Sequence, residues 1–391
     1  MDAGAEDRSF LLRNDAHDID GALLGRPHPV VLGVIIGVTP GETTPETEYD
    51  KAVRAVAQGA HTLTDVTTDG DPTLRRRVLE SLNVSYGTVP TYEVFRRIKR
   101  DGRDPRDAVL AVLEEQAEEG VDFFTVHASG TPEMARALGT SDRVIPVTSR
   151  GGAMMVEVMD GLGGENPYAG CFDEVLELCR ASGAALSLAG TFRPGSVADA
   201  MDAAHLAEIE VQAELVRRAQ ERGVKVSVEL VNHVPVHLIP AYCALGREKL
   251  HGAPFGALGP SPTDIAITYD HVAGAIGATT AALHGTSWVT CVTAGEHCRI
   301  PDAEDIVTAV KYFQIALHIA ELGCTGDLAR DAKLSRARND NDWTAMAELA
   351  VHPADAQALV ERQGYHHGEA CTMCRGTCPL VRGKAIRARQ R

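Results

Sequence analysis

A repeated succession of short apolar runs and helical segments constrains this chain most. Apolar runs rich in Val, Ile, Leu and Thr fall at 29–36, 62–66, 84–89, 122–127, 144–147, 184–188, 225–230 and 287–293. Most are continuously apolar rather than alternating, the pattern of strands covered on both faces. Helical signals lie between them. Asp104-Pro105 with Asp107 offers an N-cap, a proline at the first helical position and an acid in the first turn. Leu206, Ile209, Ala213 and Val216 form one apolar stripe stopped by Gly223. Ile306, Val310, Phe313, Leu317 and Ala320 form another between Asp302 and Gly323. Strands alternating with helices imply a parallel sheet. With about eight strands and no Gly-rich dinucleotide fingerprint, the expected class is α/β, a (β/α)8 barrel rather than a doubly wound sheet.

This organisation predicts three parts. Residues 1–27 show no periodicity and read as a loose arm, residues 28–323 as the barrel, and residues 324–391 as a helical extension. The extension carries a cysteine loop and a basic tail of Arg382, Lys384, Arg387, Arg389 and Arg391, which reads as a frayed, solvated end. A net charge of −16 argues against a broad nucleic-acid surface. No apolar run is long enough to span a membrane, and the N-terminus lacks a signal-peptide core, so the cytoplasm is the expected location.

Nine cysteines in a cytoplasmic chain should be mostly reduced thiols. Cys171, Cys179, Cys243, Cys291, Cys298 and Cys324 are scattered and read as buried small hydrophobes. Cys371, Cys374 and Cys378 are clustered as C-x2-C-x3-C-P. Close thiolates bind soft metals around one centre. Structural zinc needs a fourth ligand, which His366 or His367 could supply. Three thiolates on a four-iron cluster would leave one iron open to S-adenosylmethionine (SAM). Spacing alone leaves zinc and cluster both standing.

Polar residues gather where strands end, where barrel active sites are built. Asp65, His127, the run from Ser149 through Arg150 to Gly151, Arg193, Glu229, His233 and His297 all fall there. His233 and His237 are four apart, and histidines on adjacent strand ends could share one divalent metal. In Ser149-Arg-Gly-Gly152 and Arg193-Pro-Gly-Ser196 arginine stands beside glycine and a hydroxyl, a combination suited to phosphate.

Longer strings carry a family resemblance. They are Gly87-Thr-Val-Pro-Thr-Tyr92, Gly120-Val-Asp-Phe-Phe-Thr-Val-His127, Ser149-Arg-Gly-Gly152 and Arg193-Pro-Gly-Ser-Val-Ala-Asp199. Further ones are Glu229-x-x-x-His233-Val-Pro-Val-His-Leu238, Leu258-Gly-Pro260, Thr263-Asp-Ile-Ala266, Tyr269-Asp-His271 and Val292-Thr-x-x-Glu-His297. From about residue 29 to 378 the chain resembles the phosphomethylpyrimidine synthases, radical SAM enzymes of thiamin biosynthesis, without their large N-terminal extension.

The resemblance implies a (β/α)8 barrel with a C-terminal cluster domain, commonly a homodimer. It implies a 4Fe-4S cluster on Cys371, Cys374 and Cys378, SAM as co-substrate, an external electron donor, and a divalent metal (zinc or iron) on His233 and His297. Tyr92, His127, Ser149, Arg150, Gly151, Arg193 and Glu229 match positions that hold the ribonucleotide substrate, with Glu229 and His127 as catalytic candidates. In the family, aminoimidazole ribonucleotide is rearranged to a hydroxymethylpyrimidine phosphate.

Departures from the family also matter. The cysteine loop is one residue shorter than the family's C-x2-C-x4-C. A family aspartate is Gly190, a tyrosine is Gly256, a methionine is Thr64, and Glu-Gly-Pro-Gly-His reads Glu229-Leu-Val-Asn-His233. The asparagine expected near residues 35–38 is absent. These changes lead to the expectation of a related phosphorylated, ribose-bearing nucleotide as substrate. Authentic phosphomethylpyrimidine synthesis, a non-radical metal-dependent lyase and a catalytically inactive metal-binding homologue are the alternatives.

Overall fold

The computed structural model describes residues 8–162 and 164–390. The first seven residues of the N-terminal arm, and Arg391 of the basic tail, lie outside the described residues. The chain forms two compact units, residues 1–320 and 321–391.

Ten strands are present among the described residues. β1 (Phe10–Leu12) and β2 (Ala22–Leu24) form a small antiparallel pair. The other eight are β3 (Val31–Ile36), β4 (Thr62–Asp65), β5 (Ser85–Thr88), β6 (Phe123–Val126), β7 (Ala185–Leu188), β8 (Val226–His233), β9 (Phe255–Ser261) and β10 (Trp288–Thr290). They close in the order β10-β3-β4-β5-β6-β7-β8-β9, every pairing parallel. This is the expected (β/α)8 barrel.

One predicted strand is wrong and one was missed. Residues 144–147 form no strand: the N–H groups of Val144 and Ile145 donate to the Asp199 carboxylate at 2.8 and 3.0 Å, and Val144 is 66 % exposed. The missing member is β9, whose sequence Phe-Gly-Ala-Leu-Gly-Pro-Ser reads as a turn. Pairing with β8 and β10 on its two sides overrides that weak local preference.

Helix ends follow the expected chemistry more closely. Asp104 caps Pro105–Glu118 by accepting from Arg106 N and Asp107 N at 3.0 and 3.3 Å. Asp202 caps Ala203–Glu221, and Gly223 beyond its end has φ 71°. The helix Ala303–Thr325 runs past Gly323 and stops before Gly326, whose φ is 68°.

The arm is not loose over its described part. Leu12 and Leu24 are fully buried in one cluster with Val31, Phe123, Ala185 and Trp288. Inside the barrel Phe123 and Trp288 meet edge to face, centroids 4.9 Å apart. They fit because Gly87 and Gly33 face them: a Cβ would lie 2.0 Å from Phe123 Cε2 at Gly87, and 2.7 Å from Trp288 Nε1 at Gly33. Small residues opposite large ones fill the lumen, and the arm covers its N-terminal end.

His17 fastens the arm. Its Nδ1 donates to Asp122 Oδ2 at 2.8 Å and its Nε2 to the Leu79 carbonyl at 3.2 Å. Both partners are acceptors, so the geometry calls for an imidazolium. Burial pushes the His17 pKa down, but the hydrogen bond and charge of Asp122 outweigh it, and the pKa is raised. A raised histidine pKa gives stability that is whole below the unfolded value of about 6.5 and fades as pH climbs through the folded value. The Tm difference between wild type and His17→Asn should therefore be larger at pH 6 than at pH 8.5. A difference that is constant or grows with pH contradicts the charged clasp.

The second unit holds the helices Ala329–Asp340, Trp343–Leu349, Pro353–Gln363 and Pro379–Arg389. The basic tail is helical to Arg389 rather than frayed, and Lys384 pairs with Asp340 at 3.0 Å.

Candidate active site

At the C-terminal ends of the barrel strands lies a cavity of about 330 Å³. Its wall includes Tyr92, His127, Ser149, Arg150, Arg193, Glu229, His233 and His297. Parallel strands ending on one rim bring these residues together from distant stretches of chain. Gly151 is the remaining expected substrate residue, and it lies beneath the His127 ring: a Cβ there would sit 2.3 Å from His127 Cε1. Asp65 departs from expectation. It turns away from the cavity and accepts from Tyr86 Oη at 2.6 Å and Thr67 N at 2.7 Å.

The anion side is built on the first turn of helix Arg150–Leu162. Ser149 Oγ accepts from Gly152 N at 3.1 Å and contacts His127 Nε2 at 2.7 Å. The remaining first-turn N–H groups and the Arg150 side chain suit a phosphate. Across the loop, Arg193 donates from Nη1 to the Gly190 carbonyl at 3.1 Å, while its buried Nε has no partner among the described residues. An unpaired buried donor is costly unless a ligand takes it. Burial, helped by the Arg193 charge, lowers the His127 pKa to about 3, so the ring is neutral. Thr91 Oγ1 contacts its Nδ1 at 3.2 Å.

Glu229 lies on β8 between the cationic and histidine sides. Burial raises its pKa, against the opposing pull of Arg193. No hydrogen bond engages its carboxyl among the described residues. It is thus suited to hold or exchange a proton with a bound molecule.

The two histidines are oriented alike. His233 Nδ1 donates to Asp264 at 2.8 Å and His297 Nδ1 to Asp270 at 3.1 Å. The ring centroids are 5.1 Å apart. A carboxylate on Nδ1 fixes the tautomer that leaves Nε2 free for a metal. Among the described residues no third His, Cys, Asp or Glu joins them, so water or substrate would complete the coordination. Burial lowers the His233 pKa despite Asp264, keeping the ring in the neutral form a metal needs. The sequence reading missed Asp264 and Asp270. Both lie in matched strings, Thr263-Asp-Ile-Ala266 and Tyr269-Asp-His271, and that was the available signal.

The substituted positions also reach this site. Thr64 and Asn232 line the cavity, as does Ile35 in the region where the family's asparagine was expected. At Gly190 a Cβ would lie 3.1 Å from Arg193 Cβ and 3.3 Å from Glu208 Oε2. Glu208 accepts from the N–H groups of Thr191 and Phe192 at 2.6 and 2.7 Å, so a carboxylate already holds this turn. Gly256 stands in register between Glu229 and Trp288.

In the second unit, Cys378 is 6 % exposed and caps helix Pro379–Arg389, while Cys371 and Cys374 are half-buried. The loop is anchored by Trp343, which stacks on Tyr365 and donates from Nε1 to the Glu369 carbonyl at 3.0 Å. Three soft donors fit an iron–sulfur cluster. His367, a candidate fourth zinc ligand, has Nε2 3.8 Å from Asp342. The sulfurs are not gathered into a cage, so ligation would draw them together. Of the scattered cysteines, Cys171, Cys179, Cys243 and Cys291 are buried, but Cys298 and Cys324 are exposed, contrary to expectation: they lie in a loop and near a helix end rather than in the barrel wall.

A phosphomethylpyrimidine synthase of Methanopyrus kandleri is 38 % identical over 364 residues, covering 91 % of this chain and 85 % of that protein. Those of Ignicoccus hospitalis and Natronomonas pharaonis are 36 % and 37 % identical, covering 96 % and 95 % of this chain and 88 % and 79 % of their own. Among solved structures, a Coxiella burnetii dihydropteroate synthase matches 82 % of this chain and 100 % of its own at 14 % identity and a TM-score of 0.47, too distant to bear on function. The sequence profile of the radical SAM ThiC family matches residues 2–384, and the chain belongs to that family.

Proposed function

We propose that this enzyme is a phosphomethylpyrimidine synthase that acts on aminoimidazole ribonucleotide. The observation that carries this reading is the meeting, in one cavity, of an anion site, a neutral imidazole, a raised carboxyl and two carboxylate-anchored histidines. The relatives are named phosphomethylpyrimidine synthases, which supports formation of that pyrimidine over the altered reaction expected from Gly190, Gly256 and Thr64.

Ser149, Arg150, Gly151 and Arg193 hold the phosphate, and Tyr92 closes the wall beside Arg150, whose guanidinium lies 5.5 Å from its ring centroid. His127 and Glu229 contact the ribose or base. His233 and His297 hold a divalent metal that orients the substrate. Cys371, Cys374 and Cys378 hold the cluster that supplies, with SAM and an external electron donor, the 5′-deoxyadenosyl radical. The deciding assay is anaerobic: reconstituted enzyme should form 5′-deoxyadenosine and a hydroxymethylpyrimidine phosphate when given aminoimidazole ribonucleotide. Deoxyadenosine formed only with a different ribonucleotide would restore the altered-substrate reading.

The metal role has its own check. Asp264→Asn should weaken Co²⁺ or Zn²⁺ binding about 10- to 100-fold, the usual effect of losing a carboxylate behind a histidine ligand. Unchanged metal affinity would show that the two histidines serve another purpose.

A second copy of the chain is the natural cover for one apolar face. Val272 and Ile276 on helix Asp270–Leu283 are exposed, as are Tyr312, Ile315 and Ile319 on Ala303–Thr325. The two helices touch where Thr279 Oγ1 donates to the Ala316 carbonyl at 3.2 Å. Contiguous apolar surface of this kind marks an interface. Sedimentation should show a homodimer that Ile276→Glu with Ile319→Glu turns into a monomer; a monomeric wild type ends this reading.

A further inference from the structure

The two anion-binding loops come from different stretches of chain, yet a single buried guanidinium connects them. Arg143 lies in the irregular segment that leads to Ser149 and Arg150, and its side chain is only 1 % exposed. Its Nε and Nη2 grip the Asp202 carboxylate at 2.7 and 3.0 Å. Nη2 also donates to the Phe192 carbonyl, on the residue just before Arg193. Nη1 donates to the Pro146 carbonyl at 3.0 Å, within its own segment. One planar group thus ties the approach to Ser149, the residue before Arg193 and the N-cap of helix Ala203–Glu221.

Two further contacts run between the same loops. Asp199, 4 % exposed, accepts from Val144 N and Ile145 N. At Gly195 a Cβ would lie 2.5 Å from Thr148 Cβ, so the segments touch backbone to side chain with no room between them. The turn is held in a costly shape as well. Met201 has φ 63°, a conformation few non-glycine residues adopt, and its N–H donates to Tyr242 Oη at 2.6 Å. Strain of this kind persists where surrounding contacts over-determine the backbone.

We propose that Arg143, with Asp199, is a positioning residue for phosphate recognition. It touches no substrate. It joins the Ser149–Gly152 loop and the Arg193–Ser196 loop into one frame, so that Arg150, Arg193 and the free helix N–H groups face the same phosphate before it arrives. Preorganised donors bind an anion without an ordering cost at the moment of binding. Only a planar fork can reach Asp202, Phe192 O and Pro146 O together, so lysine does not replace this arginine.

This inference rests on the phosphate-binding reading of the cavity, and the test separates the two. Calorimetry on the full-length chain compares aminoimidazole ribonucleotide with its unphosphorylated riboside, for wild type, Arg143→Lys and Asp199→Asn. Wild type should prefer the phosphorylated ligand. Each variant should lose roughly tenfold or more of that preference while riboside affinity stays near wild type. Asp199→Asn is nearly isosteric and keeps the Arg143–Asp202 pair, so it reports even where Arg143→Lys fails to fold. An unchanged preference in Asp199→Asn, or in a folded Arg143→Lys, overturns the frame. An equal fall for both ligands shows general loosening and overturns it too. A wild type with no preference for the phosphorylated ligand refutes the phosphate-binding reading itself, and the frame with it.

Discussion

Replacing Gly151 by alanine should stop the enzyme while leaving the protein folded. The residue sits in the first turn of helix Arg150–Leu162, where alanine is intrinsically favoured over glycine by about 1 kcal/mol. Helix propensity therefore predicts no loss of stability. The loss is expected in the site instead, because the added Cβ would fall 2.3 Å from His127 Cε1 and 2.6 Å from its Nδ1. His127 cannot yield without disturbing its contacts to Ser149 and Thr91, both fully buried. A displacement of about 1 Å in a catalytic group costs roughly 10²-fold in rate. The expected result is a Tm within a few degrees of wild type, with turnover of aminoimidazole ribonucleotide reduced about a hundredfold. Full activity would mean that the His127 position is not held by the helix beneath it.

The second large effect is expected from Cys374→Ala. The variant should lose its iron–sulfur absorbance after anaerobic reconstitution, together with substrate-dependent deoxyadenosine, to below about a thousandth of wild type. No remaining side chain can initiate hydrogen abstraction in place of the radical. The barrel should be unaffected, since Cys374 lies in the separate compact unit of residues 321–391. Riboside and nucleotide affinities should therefore survive, which separates a chemical defect from a binding defect. A colourless but active variant would exclude the cluster and return zinc to the loop. The wild-type iron content also tests whether the shortened C-x2-C-x3-C spacing still holds four irons.

Much of this was legible before the structure. Seven of the eight barrel strands announced themselves as apolar runs because both their faces are covered. β9 did not: Gly256, Gly259 and Pro260 give it the composition of a turn, and only its neighbours make it a strand. The run at 144–147 erred the other way. Its Val and Ile promise a strand, but its N–H groups are taken by Asp199. The expected cavity residues could be found because barrel topology sends strand ends to one rim. Their supports were less legible. Asp264, Asp270 and Arg143 act through partners 31, 27 and 59 residues away along the chain, and no local pattern records such a pairing. The arm was misread for a similar reason: Leu12 and Leu24 have no periodic companions and find their apolar surroundings only against the barrel.

That covered lumen has a kinetic consequence. Phe123 and Trp288 fill the barrel below the cavity, and Leu12 and Leu24 lie in the same buried cluster. With the lumen filled from below, a ligand of this cavity reaches it from the rim at the C-terminal ends of the strands. A nucleotide bound inside the barrel is expected to enter before, and leave after, any ligand that binds above it. Initial-rate patterns should show compulsory order, with the nucleotide leading, and an analogue bound at that depth should trap the enzyme ahead of its second ligand.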